Sequence, residues 1–229
     1  MKVLIELRNA LFCTIGLLCA MACFGQEGFN SEIGEASKEL FVTKKDTLNN
    51  VICFYYWMPT EFWNLAMKNN KDVSQEFWDE FKSVTANYHI IAVGRIEIFL
   101  GVPIITSYDT LRDNVELSIN GGEEISPINV SELPHKLYII SNTLDELLSE
   151  LMGSFGSAME IFVFENREGI TPLSTGNMEV SMFNGSHTFT LPIGYFLPKK
   201  ECKECGEKMR GDWDFCPYHG IELIRINGD

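Results

Sequence analysis

Apolar and polar positions change period several times along this chain, and each change predicts an element. Val51 to Trp57 is an unbroken β-branched and aromatic run, the pattern of a strand covered on both faces. Pro59 and Thr60 end it and open a short helix reaching to about Asn69. In a second helix Phe77, Phe81 and Val84 fall at i, i+4 and i+7, with Asp72 and Gln75 as its capping box. Tyr88 to Leu100 reads as a long strand with Arg95 and Glu97 on one face.

Val115, Leu117 and Ile119 alternate and run into Asn120-Gly121-Gly122, a hairpin signal, because Asn and Gly tolerate the positive φ of tight turns. Lys136 to Ile140 reads as another short strand. A helix is expected from Thr143, capped with Glu146, with Leu144, Leu147, Leu148, Leu151 and Met152 as its buried stripe and Gly153 as its stop. Met159 to Phe164 is a strand, and Met178–Phe183 with His187–Leu191 form a hairpin about Asn184-Gly185-Ser186. Strands are not interleaved regularly with helices. The expected fold is therefore mainly β with α: a β-sandwich-like body with two or three helices, followed by a small C-terminal zinc ribbon.

The first residues carry a different pattern. Lys2 and Arg8 precede an apolar run from Leu11 to Phe24, fourteen residues, short of the ~20 that a spanning helix needs. Residues 1–25 are expected to be a signal peptide, cleaved after Gly25, or after Ala22 with Cys23 lipidated as the alternative. No transmembrane span is expected after cleavage, and the protein is placed in the periplasm or outside the cell. Residues 26–50 are polar and read as a lead-in, residues 51–198 as the body and residues 199–229 as the ribbon.

Charge narrows the partners. The chain has 18 basic and 32 acidic residues, net −14. Loss of Lys2, Arg8 and Glu6 with the signal leaves 16 and 31, net −15. Phosphate contacts need a basic surface, so nucleic acid is excluded as a partner, and an anionic lipid surface is equally disfavoured.

The clearest chemistry is Cys202-Lys203-Glu204-Cys205-Gly206 and, with ten residues between Cys205 and Cys216, Cys216-Pro217-Tyr218-His219-Gly220. A Cys-x-x-Cys turn sets two soft ligands on one side of an ion, and a second facing turn closes a tetrahedron. The glycine after each pair is expected to relieve crowding at the turn. The assigned metal ligands are Cys202, Cys205, Cys216 and His219, and the assigned cofactor is structural zinc. Four protein ligands leave no open position for catalysis. Trp213 and Phe215 are expected to pack around the metal or against the body. Export leaves Cys53 as the other cysteine, so two disulfides, one tying Cys53 to the tail, are the alternative use of the thiols. Cys53 itself reads as a buried small hydrophobe.

Enzyme motifs are weak. Gly153-Ser154-Phe155-Gly156 is not the Gly-x-Ser-x-Gly of a nucleophile elbow, and a helix is expected before it. His89, His135 and His187 have no motif-spaced acid or nucleophile beside them, and Glu123-Glu124 and Asp109/Asp113 read as solvated acids. Phe54, Tyr55, Tyr56, Trp57, Phe62 and Trp63 are dense enough to line a cleft, although core packing explains them as well.

The knuckle Phe215-Cys216-Pro217-Tyr218-His219-Gly220, following an export signal and a strand-rich body, resembles a group of exported bacterial proteins of uncharacterised role that end in a zinc ribbon. With the closed metal site and the missing catalytic constellation, the expected role is a cell-envelope binding or scaffold protein with protein partners. An exported enzyme or small-molecule binder using the aromatic residues as a cleft is the alternative.

Overall fold

The computed structural model describes residues 31–67, 74–152 and 156–226 of the chain. Within them lie five α-helices and eleven strands in three antiparallel sheets. The expected signal peptide, the capping residue Asp72 and the stop at Gly153 lie outside the described residues.

The large sheet is organised by one strand. β1 (Phe41–Asp46), β2 (Val51–Trp57) and β3 (Tyr88–Phe99) pair in that order. The other edge of β3 is shared lengthwise: β6 (Met159–Glu165) pairs with its first half and β4 (Val102–Ile105) with its second. Side chains alternate between faces along β2. Tyr55 and Trp57 point to one face, where they meet His187 and Phe189 at ring-centroid distances of 5.9 and 5.8 Å. Those partners belong to β8 (Gly185–Leu191), which with β5 (Val115–Ile119) and β7 (Gly176–Met182) forms the small sheet in the order β5-β7-β8. Phe54 and Tyr56 point to the opposite face, toward Phe41 and Phe62. The body is thus a sandwich of two sheets with helices on the large sheet's outer face.

Those helices are α1 (Ser31–Leu40), α2 (Thr60–Met67), α3 (Gln75–Thr85) and α5 (His135–Met152); α4 (Tyr108–Arg112) instead meets the face that Trp57 occupies. Ser74 caps α3 by accepting a hydrogen bond from Phe77 N at 3.2 Å. Phe77 and Phe81 form its buried stripe, and Trp63 on α2 closes over Phe81 at 5.9 Å. Tyr108 on the single turn of α4 stacks on Phe162 at 5.1 Å.

Four expectations are corrected. Residues 31–46, read as lead-in, are a helix and an edge strand of the body, for Ile33, Ala36 and Leu40 form a fully buried stripe on α1. Lys136–Ile140 is helix, not strand. α5 begins at His135, where the Tyr138 amide already donates to Pro134 O, so the helix starts well before Thr143. Leu137, Ile140, Leu144 and Leu148 are the buried stripe, at helical spacing. Thr143 does not cap; its hydroxyl donates to Ile139 O at 2.7 Å. The β7–β8 turn is Phe183-Asn184, with Met182 paired to Gly185, one register step before the expected turn.

The six aromatics offered as a cleft are core residues, each no more than 5% exposed. A buried aromatic ring removes about 150–250 Å² from water, on the order of 4–6 kcal/mol at ~25 cal/mol per Å². Lining an open cleft would forfeit much of that.

Gly94, at the middle of β3, sits where β6 begins. A Cβ there would lie 2.2 Å from Ala158 O, a backbone atom that cannot swing away. Gly94→Ala should therefore separate β3 from β6 and lower stability by about 3 kcal/mol. Urea unfolding followed by tryptophan fluorescence measures it, and a midpoint matching the wild type would show that the approach is not constraining.

Candidate metal centre

The C-terminal residues form a third sheet from strands of two residues each: β9 (Lys200–Glu201) lies between β10 (Lys208–Met209) and β11 (Ile224–Arg225). Its two turns repeat one hydrogen-bond scheme. Cys202 N donates to Glu207 O at 3.1 Å and Gly206 N donates to Cys202 O at 2.8 Å. Fourteen residues on, Cys216 N donates to Ile221 O at 2.9 Å and Gly220 N to Cys216 O at 2.8 Å. Gly206 and Gly220 have φ of 68° and 66°, the left-handed region. A Cβ at either would meet nothing within 4 Å. The glycines are required by backbone conformation, and the expected crowding is not the reason.

The repeated turns bring together all four residues predicted as ligands. Sγ of Cys202, Cys205 and Cys216 and a ring nitrogen of His219 lie within 4.8 Å of one another. Nδ1 of His219 is the inward atom, 3.6 Å from Cys202 Sγ and 3.5 Å from Cys216 Sγ. Cys202 and Cys216 are buried, whereas Cys205 and His219 face solvent. Nε2 of His219 lies 3.9 Å from Glu204, an acid that can steady the ring through its outer nitrogen. The Cys205 and Glu204 amides point at the Cys202 sulfur and hold its pKa down to about 6, the direction that favours the thiolate a metal requires. The sulfurs of Cys216 and Cys202 raise the pKa of His219. Such a cluster can hold a metal ion.

All four described cysteines, Cys53, Cys202, Cys205 and Cys216, are free thiols. Cys53 is half-buried on β2, facing the β7–β8 turn, and burial pushes its pKa up. Met209 and Leu223 join Cys202 and Cys216 in a small apolar cluster separate from the body's core. Phe215 and Trp213 are exposed, at 62% and 40%, and correct the expectation that they pack inward. Phe215 bridges to Glu222 in extended conformation, so its side chain points away from the neighbouring Cys216.

The cluster is tied to the body through Arg210. Its guanidinium reaches Glu39 on α1 at 2.7 Å and Asp212 at 2.8 Å. The second oxygen of Glu39 accepts from Gly194 N at 2.9 Å. A Cβ on Gly194 would come within 2.5 Å of Asp212, so the junction closes tightly around this ion pair.

The other sequence candidates are dispersed. His89 is buried against Trp57, and burial drives its pKa down to about 4. His135 opens α5, and His187 sits between Tyr55 and Phe189. Asp113 pairs with Arg112 at 3.0 Å, while Glu123 and Glu124 are exposed. Ser154 lies outside the described residues.

One polar group escaped the sequence reading. Glu160 on β6 and Asp145 on α5 line a cleft of 150 Å³ with Tyr108, Ser141 and Asn142. Burial and then the Asp145 charge raise Glu160 to about 7. Burial also raises Asp145. A carboxyl whose pKa is higher folded than unfolded favours folding most below pH 4.5, and that contribution is lost as pH rises through 7. Glu160→Gln should remove the loss and stabilise the chain at pH 8 by about 1–2 kcal/mol, allowing for solvent screening. Urea midpoints at pH 5 and pH 8 test it. An equal decline in both proteins would remove Glu160 as its source.

Compared with known proteins, the chain matches no family model, no curated protein and no solved structure. Among the described residues no helix is long and apolar enough to cross a membrane. The class defined by fold and site is a mainly β chain with α-helices and a Cys3His cluster near its C-terminus.

Proposed function

We propose that this is an exported, non-catalytic binding or scaffold protein of the cell envelope whose tail is a zinc ribbon held by Cys202, Cys205, Cys216 and His219. The observation that carries the zinc reading is the 3.5–3.6 Å separation between His219 Nδ1 and two cysteine sulfurs. Zinc bonds of about 2.3 Å to sulfur and 2.0 Å to nitrogen at tetrahedral angles give an edge of about 3.5 Å. Three thiolates and one imidazole suit zinc, and four protein donors close its coordination shell, which favours a structural over a catalytic ion.

The metal is needed for a physical reason. Strands of two residues and a four-residue apolar cluster cannot order this tail alone. Closing a structural zinc site contributes on the order of 10–16 kcal/mol, enough to fold it. Export rests on Lys2 and Arg8 ahead of the Leu11–Phe24 run. A protein partner, rather than nucleic acid, follows from the charge of −14.

Protein purified from its native compartment should contain about one zinc per chain, with the three ribbon thiols released only after chelation. Its N-terminal mass should begin at Gln26, or at a lipidated Cys23. Cys216→Ser should lose the zinc and make the tail protease-sensitive while the body keeps its unfolding midpoint. Metal-free protein with oxidised thiols would establish disulfides in place of zinc, and an intact N-terminus in the cytoplasm would remove export without touching the zinc reading.

A further inference from the structure

The end of β3 and all of β4 form a ribbon that leaves its apolar side chains exposed. Leu100 is 88% exposed, Val102 61% and Phe99 59%, and Ile98, Ile104 and Ile105 are exposed too. Phe99, Val102 and Ile104 lie on one face; Ile98, Pro103 and Ile105 lie on the other. In the neighbouring β1–β2 turn, joined to this ribbon by Ile98 N donating to Asn50 O, Leu48 is 92% exposed.

Among the described residues Leu100 and Phe183 are the positive-φ positions that are neither Asn nor Gly; Phe183, in the β7–β8 turn, lies under the Arg95 guanidinium at 5.0 Å, whereas Leu100 is 88% exposed. Leu100 and Gly101 both have positive φ, 50° and 82°, which makes a two-residue turn whose first position favours Asn, Asp or Gly. The chain uses that rule elsewhere: Asn120, with φ 50°, precedes Gly121 in the same arrangement. A branched aliphatic residue at position 100 opposes local conformation and is buried against nothing, so it contributes little to folding.

We propose that this tip docks on a zwitterionic lipid surface, inserting Leu48, Phe99, Leu100 and Val102 shallowly among the headgroups. Beyond the Glu97–Ile104 pair both faces of the ribbon are apolar, and a bilayer surrounds both at once. Strand addition along β4 is blunted by Pro103. It faces Ile98 in a non-hydrogen-bonded pair, so its missing N–H falls on the free outer edge. Local charge fits as well. The strands leading to the tip carry Lys44, Lys45 and Arg95 against Asp46 and Glu97, a balance of +1 in a chain of −14, so the acidic surface is kept from the headgroups. The inference goes beyond the envelope reading and does not depend on export or zinc.

Flotation of the purified full chain with phosphatidylcholine–phosphatidylethanolamine vesicles tests it. The wild type should float, and high salt should leave the bound fraction unchanged. Leu100→Asn should weaken binding about tenfold, the scale of one buried leucine. It should also leave the urea midpoint equal or higher, because Asn suits the turn. Leu48→Ser, outside the ribbon, should weaken binding severalfold without changing the fold. Four results would overturn the proposal: no flotation by the wild type; equal binding by Leu100→Asn and the wild type; binding that requires phosphatidylglycerol and vanishes in salt; or a wild-type dimer that Leu100→Asn makes monomeric, which would assign the tip to a second copy.

Discussion

Everything in the body is referred to β3. It is the one strand of the large sheet with three partners, taking β2 along one edge and dividing the other between β6 and β4. The division is made possible by Gly94, whose missing Cβ lets the backbone at Ala158 approach and β6 start. One half of β3 is enclosed: Ile90 to Val93 are at most 2% exposed between the small sheet and the helices. The other half leaves the layers and becomes the exposed ribbon. The same strand therefore serves as the centre of the core and as the stem of an exposed apolar surface.

The metal cluster depends on the body through a narrower link. Glu39 is the last acid of α1, a helix anchored by Ile33, Ala36 and Leu40. It holds Arg210 and Gly194 N at once. Partial burial strengthens this pair relative to a surface salt bridge, and removing either member leaves the other with its desolvation cost. Arg210 follows Met209, a residue of the small apolar cluster around the cysteines. Order at the cluster and order at α1 are thus one chain of contacts, which residues 31–46 complete.

Legibility in the sequence followed the strength of the periodic signal. The clustering of Cys202, Cys205, Cys216 and His219 was readable because the turn geometry needs fixed spacing, and spacing survives in one dimension. β2, β3, β5 and β6 were readable because dense β-branched and aromatic positions leave few other fits. α1 was hidden by its polar majority, its buried positions being the four small or aliphatic residues Ile33, Gly34, Ala36 and Leu40. β1 was hidden because it is an edge strand with Lys44 and Lys45, charges that protect an edge and erase alternation. Leu137 to Ile140 read as strand because four adjacent apolar residues satisfy either period; the tie is broken by Leu144 and Leu148, farther along the helix. The Glu160–Asp145 pair joins β6 to α5, and no local pattern could announce a contact made only by packing.

Two kinds of glycine and one leucine separate folding demands from outward ones. At Gly94 the constraint is space, and at Gly206 and Gly220 it is φ; each is explained within the molecule. Leu100 shares the φ of the second kind without the side chain that suits it. Asn50 and Asn120 meet the same backbone demand with asparagine, and Phe183, with φ 55°, has the Arg95 guanidinium over its ring at 5.0 Å. A position that opposes its own backbone and buries nothing gains no support from the core, the metal cluster or a neighbouring charge. Nothing among the described residues accounts for leucine at this position, whereas the proposed lipid surface does.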